Sequence, residues 1–355
     1  MCSRIEFWRS LLPRTVAESA AMAADSEAAG WYGVTFGDSQ NALYDAFVSM
    51  TLAATATARI GLGTGVTNSV TRHPALMASG FASLQQLSAG RMVLGIGRGD
   101  SALHFLNKTQ PSPAEFERYL DQLQRYLRGD AVDLDGFASQ IDWLQPDDAR
   151  LVGPRKVLAG SPIPKVPVDV AVTGPRMIAA GARQAERITL AVGADPDRVR
   201  AGIELARAAR QEAGLDPDGL RVGLYLVGAV DDDLGRARDE LRGMVALHAR
   251  FSAMSGRPVA GVAARDATAM TAIVAARDVM YHGLSGGPQA RAADDEFVER
   301  FAVVGPAARC IDQLRELCAL GITHIHMNCH SGSTDHEVAE RYYARFISEV
   351  IPELG

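Results

Sequence analysis

The chain is short of positive charge. Its 36 Lys and Arg stand against 42 Asp and Glu, a formal net charge of −6 over 355 residues. Nothing in that balance supplies the concentrated basic patch that a phosphate backbone demands, so a nucleic-acid surface is excluded. Long apolar runs are also missing. No stretch approaches the roughly 18 residues of a bilayer-spanning helix, so no membrane partner is expected. Met1–Ser10 is too short in its apolar part for a secretory signal. Cysteine is scarce: Cys2, Cys310, Cys318 and Cys329 form no close-spaced framework, which fits small core thiols in a reducing compartment. Short-period repeats are absent, which excludes a solenoid. With 47% hydrophobic and 22% charged residues, the expectation is a cytoplasmic globular protein that holds any anionic ligand locally.

What is present is most regular between Arg59 and Asp100. An apolar strand, a Gly-punctuated turn, an amphipathic helix and a second apolar strand make one βαβ unit. Gly61, Gly63 and Gly65 alternate along the first strand, so one face of it lacks side chains and offers room for something flat. Pro74 suits a first helical position, Leu76, Gly80, Phe81, Leu84 and Leu87 follow at helical spacing, and Gly90 ends the helix.

Similar units flank this one. Strands are expected to begin at Ile5, Tyr32, Ile60, Met92, Val166, Ile188, Arg221 and Ile322, each followed by a helical pattern. Eight βα units with polar or Gly-rich residues after the strands describe a TIM-like (β/α)8 barrel, with its site at the strand C-termini. We expect a single domain over 1–355 with insertions at about 128–165 and 234–300. The first insertion is irregular, with a hairpin over Phe137–Leu144. The second is helical without a strand, and its Met244, Met254, Met270 and Met280 either line a flexible apolar cavity or pack as ordinary core.

Gly95-Ile96-Gly97-Arg98-Gly99-Asp100 resembles a dinucleotide fingerprint but fails its spacing, because Asp100 stands where the third Gly belongs. A better phosphate signal is Thr173-Gly174-Pro175-Arg176, between a buried strand and a helix. Helix N-terminal amides and an Arg fork there suit an anion, and Gly193-Ala194 after the next strand adds further amides. His324, His326, Cys329 and His330 form an HxHxxCH pattern. No carboxylate or paired-cysteine motif accompanies it, so no metal is expected and His326 is placed at the barrel mouth. His73 is most simply a residue at a helix start, and His104 a reserve acid.

Four stretches carry a resemblance: Gly63-Thr64-Gly65-Val66-Thr67-Asn68, Thr71-Arg72-His73-Pro74, Leu87-Ser88-Ala89-Gly90-Arg91 and Leu94-Gly95-Ile96-Gly97-Arg98-Gly99-Asp100. With them the chain resembles the bacterial-luciferase-like superfamily of flavin and deazaflavin oxidoreductases. It looks nearest to the methylenetetrahydromethanopterin reductase branch, which uses coenzyme F420.

The resemblance implies a deazaflavin or flavin ring at the strand C-termini beside Asp38, Thr64, Gly65, Val66, Thr67, Asn68, Gly97 and Asp100. It implies phosphate held by Thr173, Gly174, Pro175, Arg176, Met177, Gly193 and Ala194, and a non-prolyl cis peptide at Gly65-Val66. It places Glu6 and Asp100, with Asp38 near them, as the catalytic acids; a buried carboxyl of raised pKa would serve as proton donor, and the structural alternative for Glu6 is a salt bridge with an Arg. Two departures stand out: Asp38-Ser39 where Asp-His is common, which removes a candidate imidazole base, and Asn68-Ser69 where Asn-Pro is common. The expected activity is hydride transfer between F420 and a small organic substrate. The alternatives are an FMN-dependent monooxygenase and a non-catalytic flavin-binding barrel. The resemblance also suggests a homodimer packed through the early helices.

Overall fold

The structure, a computed structural model, describes residues 5–130, 132, 163–254 and 262–354. In chain order the first part holds β1 (Glu6–Leu11), α1 (Glu18–Ala29), β2 (Gly33–Phe36), α2 (Ala46–Ala56), β3 (Gly61–Thr64), β4 (Thr67–Asn68), α3 (Pro74–Leu87), β5 (Met92–Gly97), α4 (Ser101–His104) and α5 (Pro113–Arg128). The second part holds β6 (Val168–Val172), α6 (Pro175–Gln184), β7 (Arg187–Leu190), α7 (Pro196–Glu212), β8 (Arg221–Val230), α8 (Leu234–Arg250), α9 (Ala264–Ala275), α10 (Pro288–Arg291), α11 (Asp295–Phe301), β9 (Val303–Gly305), α12 (Ala307–Cys318), β10 (His324–Asn328) and α13 (His336–Arg345). The strands hydrogen-bond in the order β10-β1-β2-β3-β5-β6-β7-β8-β9, and β8 also pairs with β10, which closes the sheet as a TIM-like barrel. Each expected strand is found, starting within two residues of its expected position. The hairpin expected over Phe137–Leu144 lies outside the described residues.

By its internal contacts the chain divides into two compact units, residues 1–10, 25–34 and 170–355 in one and 11–24 and 35–169 in the other. In the second of these, helix ends are closed by their own side chains. Asp45 accepts from the amides of Phe47 and Val48, His73 from Ala75, and Ser112 with Glu115 forms a capping box. His73 is thus a helix cap. Arg91, at the start of β5, donates to the carbonyls of Ala54, Thr57, Ile60 and Ser88, and so ties the ends of α2 and α3 to the start of β3. Met77, Phe81 and Leu84 of α3 are buried, whereas Leu76 is 67% and Leu87 48% exposed. The expected apolar stripe is therefore split, with two of its leucines on the outer face.

The glycines of β3 also differ from expectation. A Cβ on Gly63 would lie 2.6 Å from the Val93 carbonyl oxygen, and one on Gly65 2.7 Å from the Thr35 hydroxyl. The space their missing side chains leave is filled by neighbouring strands rather than kept for a ligand. Thr35 is on β2 and Val93 on β5, so glycine here permits close strand packing.

In the other unit, register places side chains in layers. Glu6 pairs with His324 and His324 with Gly223; two residues on, Trp8 pairs with His326 and His326 with Tyr225. Trp8 stacks on His326 at 5.5 Å between ring centroids and His326 on Tyr225 at 4.7 Å, a three-ring stack across β1, β10 and β8. The second insertion is helical as expected, with no strand among its described residues between α8 and α11. Met244 and Met270 are buried in it, while Met254 and Met280 are 37% and 83% exposed. The first pair behaves as ordinary core.

Candidate active site

Glu6 requires the first correction. It opens β1, and its charged partners also stand at strand starts, Arg187 opening β7 and Arg221 opening β8; Tyr32, just before β2, and the Trp8 indole, 3.4 Å away, complete its hydrogen bonds. The carboxylate lies 2.9 Å from Arg187 and 2.7 Å from Arg221 while only 5% exposed. Burial works to raise its pKa, but the Arg187 charge and hydrogen bonds from Arg221 and Tyr32 outweigh burial and hold it below its ordinary value. A proton donor needs the opposite shift and the opposite end of the strands. Glu6 is a structural anion beneath the ring stack.

The other expected residues of β3 to β5 do come together within their own unit. The Gly65-Val66 peptide is cis, as the resemblance implied. Thr67 and Asn68 pair with Ile96 and Gly97 at the end of β5. The Thr64 hydroxyl donates to the Gly95 carbonyl at 2.6 Å, and the Thr67 hydroxyl to the Asp38 carboxylate at 2.6 Å. Ser39 and Ser101 share a hydroxyl contact of 3.2 Å, and the Gln40 amide donates to the Ala102 carbonyl. These bonds stitch the loop after β2 to the loop after β5, so Asp38 and Asp100 occupy linked segments at strand C-termini. Asn68 is 1% exposed; its Oδ1 accepts from the amides of Val70 and Thr71, while its buried Nδ2 has no partner among the described residues. An orphaned buried donor beside the half-buried Gly65 and Val66 fits a ligand's acceptor.

The residues expected to hold an anion lie after β6 and after β7. Gly174 caps α6 without any side-chain hydrogen bond, Pro175 is its first residue, and Arg176 is exposed and makes no hydrogen bond or ion pair among the described residues. Thr173 is half-buried beside it. The Met177 amide bonds to the Gly174 carbonyl at 3.0 Å and is internal to the helix. At the next strand the Ala194 amide donates to the Phe301 carbonyl at 2.9 Å, and a Cβ on Gly193 would lie 2.7 Å from the Phe301 ring. Ala194 therefore has no amide to offer a phosphate.

The histidines sort by layer. His324 bonds through Nε2 to Thr189 at 2.9 Å and through Nδ1 to Thr323 at 2.8 Å. His326, 4% exposed, is a member of the ring stack in the barrel interior rather than a mouth residue. His330 follows the end of β10. Sequence reasoning missed Tyr225, Trp8 and His248: strand periodicity was the only signal for the first two, whose alignment with His326 needs the pairing register, and His248 sits in the last turn of a helix with no local signal.

Comparison with known proteins agrees with this arrangement. The luciferase-like monooxygenase family matches residues 4–324. The chain is 51% identical over 53 residues to 5,10-methylenetetrahydromethanopterin reductase of Methanopyrus kandleri, covering 15% of each chain. It is 38% identical over 118 residues to 4-hydroxyprotoasukamycin monooxygenase of Streptomyces nodosus subsp. asukaensis, covering 31% of this chain and 30% of that protein. The matched stretches thus span less than a third of these curated relatives. Over its whole length the fold superposes on coenzyme F420-dependent tetrahydromethanopterin reductase from Methanopyrus kandleri, with a TM-score of 0.72 at 20% identity, covering 99% of this chain and 100% of that one. A match over residues 4–324 and a barrel carrying its polar residues at strand C-termini lead to one conclusion: the chain belongs to the luciferase-like monooxygenase family of enzymes.

Proposed function

We propose that the protein is an oxidoreductase that moves a hydride between coenzyme F420 and a small organic substrate with a C=N or C=C bond. The observation that carries this is the start of α6: an N-terminus without a side-chain cap, with Arg176 beside it exposed and unpaired among the described residues, at the end of a buried strand. Such a terminus stabilises a phosphate through its amides and dipole, and Arg adds a bidentate fork. The likeness to reductases favours the deazaflavin among the phosphate-bearing cofactors.

When bound, the deazaflavin supplies the two-electron chemistry, and the chain's own residues do the rest. The Gly174 turn and Arg176 hold the phosphate. Asp38 accepts from the Thr67 hydroxyl and so keeps the start of β4 in place. With Glu6 removed from the acids, Asp100 at the end of β5 is the group we assign to move the proton that accompanies hydride addition.

A second proposal is an FMN-dependent monooxygenase, favoured by the longer matched stretch shared with the Streptomyces enzyme. Adding F420 and FMN separately to the purified protein, and following ligand absorbance and fluorescence, discriminates between them. Micromolar binding of F420 is expected. Failure of both ligands to bind overturns the proposal, and absent turnover with bound, reduced cofactor reduces the protein to a binder.

A further inference from the structure

The segment after β10 is held in place at almost every residue except at one side chain. The Cys329 amide donates to the Tyr343 hydroxyl at 3.2 Å, and that hydroxyl donates to the Ser10 carbonyl at 2.9 Å. The His330 amide donates to Asn328 Oδ1 at 3.3 Å, the Ser331 amide to Thr334 Oγ1 at 2.8 Å, and the Gly332 amide to the Gly283 carbonyl at 2.8 Å. Ser331 and Ser285 hydroxyls meet at 3.1 Å, and the Thr334 hydroxyl reaches the Glu240 carbonyl of α8 at 3.3 Å. Amid these bonds both His330 ring nitrogens are buried and neither has a hydrogen-bond partner among the described residues. Buried polar atoms are paired as a rule, and a buried ring on a held backbone, unpaired among the described residues, points to a bound group.

A second imidazole shares this environment. His248, in the last turn of α8, lies within electrostatic reach of His330 and makes an aromatic contact with Phe251 at 5.9 Å between centroids. Burial pushes both rings down to about 4, with His330 adding to the effect on His248 and Arg9 to that on His330. At neutral pH each ring is therefore uncharged, with one N–H donor and one bare acceptor. The neighbouring cation, Arg9, is engaged by Glu340, by Ser26 and by the Tyr343 ring, 4.4 Å away.

We infer that His248 and His330 form a polar recognition site, at the end of β10, for an uncharged group of the substrate: a carbonyl, imine or hydroxyl. The neutral His330 ring offers a donor at one nitrogen and an acceptor at the other, which matches such a group and gives no compensating charge to a carboxylate or phosphate. The inference deepens the proposed hydride transfer, since a C=N to be reduced is what a neutral donor polarises, and a ketone carbonyl is its nearest simple probe. It rests on that proposal for the identity of the ligand as substrate.

The test uses the full chain without cofactor, labelled with 15N in its histidine rings. Acetone, cyclohexanone, the alcohols of both, and cyclohexanecarboxylate are titrated in turn while ring 15N shifts are followed. Variants H248F and H330F assign the two signals, H330Q tests rescue by a side chain that still hydrogen-bonds, and the exposed His336 serves as reference. Saturable shifts of both rings with at least one ketone or alcohol are expected, with binding at least tenfold weaker in H330F, partly restored in H330Q, and no shift with the carboxylate. A panel that leaves both rings unmoved, or a carboxylate that moves them more than any neutral probe, overturns the inference. F420 binding is measured by fluorescence on the same samples. If wild-type protein binds ketone but not F420, the hydride-transfer proposal fails while the recognition site stands.

Discussion

Glu6 pairs with two arginines at once, one of which, Arg187, is only 4% exposed. Breaking a buried ion pair by removing one charge costs about 3–5 kcal/mol, because the partner's charge stays behind without compensation. Glu6→Gln should therefore lower the denaturation midpoint by roughly that free energy while turnover per folded molecule stays near wild type. Asp100→Asn should do the reverse, lowering kcat with little change in stability. Chemical denaturation and steady-state rates of both variants check this; a kcat loss confined to Glu6→Gln would reinstate it as the proton donor. The sequence placed Glu6 in a first strand, and the salt bridge was one of two options. Only the register, which shows Arg187 and Arg221 opening their own strands beside it, decides between them.

His248 and His330 add a pH dependence of a defined sign. Each has a folded-state pKa of about 4 against an ordinary value of 6.5, so the unfolded chain binds more protons between those values. Stability from keeping them neutral is complete above about pH 6.5 and is lost as pH falls toward 4. At 1.36 kcal/mol per unit, this is of order 3 kcal/mol for each ring. The Glu6 contribution disappears only below the ordinary carboxylate range. Urea midpoints between pH 7.5 and 4.5 should thus fall from about pH 6.5 downward, and H248F/H330F should flatten that limb. An unchanged limb in the double variant would count against neutral buried rings.

At the scale of elements, the helix after β6 is the part whose function follows most directly from local sequence. Gly174-Pro175 sets a helix start, and among the described residues no side chain caps it and Arg176 is exposed and unpaired. Arg176→Ala should weaken cofactor binding about tenfold without moving the thermal midpoint, read by F420 fluorescence titration. Strand positions were equally legible because buried parallel strands read as short apolar runs between glycine turns. Less legible was which face of a helix turns outward. Phe81 and Leu84 of α3 face the core and Leu76 and Leu87 do not, although all four follow helical spacing. The glycines of β3 misled for a related reason: a missing side chain signals close approach without naming what approaches. The same holds for Ala194, whose amide is taken by a carbonyl more than a hundred residues away in sequence.

At the scale of the whole molecule, three of the exposed large apolar residues, Val48, Leu76 and Leu87, lie on the early helices. Val48 of α2 is 48% exposed, and Leu76 and Leu87 of α3 bracket the small, exposed Ser79 and Ser83 on one helical face. A face of small residues between two leucines suits close packing of a second copy, and it gives the expected homodimer, which we retain as a proposal, a definite surface. Light scattering after size exclusion should give twice the 37.8 kDa chain mass, and Leu76→Asp should return the single mass with the fold intact. A wild-type monomer at micromolar concentration would dismiss it.

The three-ring stack inside the barrel has an optical consequence. Trp8 is 1% exposed and lies against an imidazole, so its emission should be blue-shifted and should respond to whatever alters His326 or Tyr225. The protein carries its own lamp at the centre of the sheet, and Tyr225, the outermost of the three rings and only half-buried, is its window. A ligand settling on that phenol would change the colour or brightness of the indole two rings away, so that occupancy could be watched without any label.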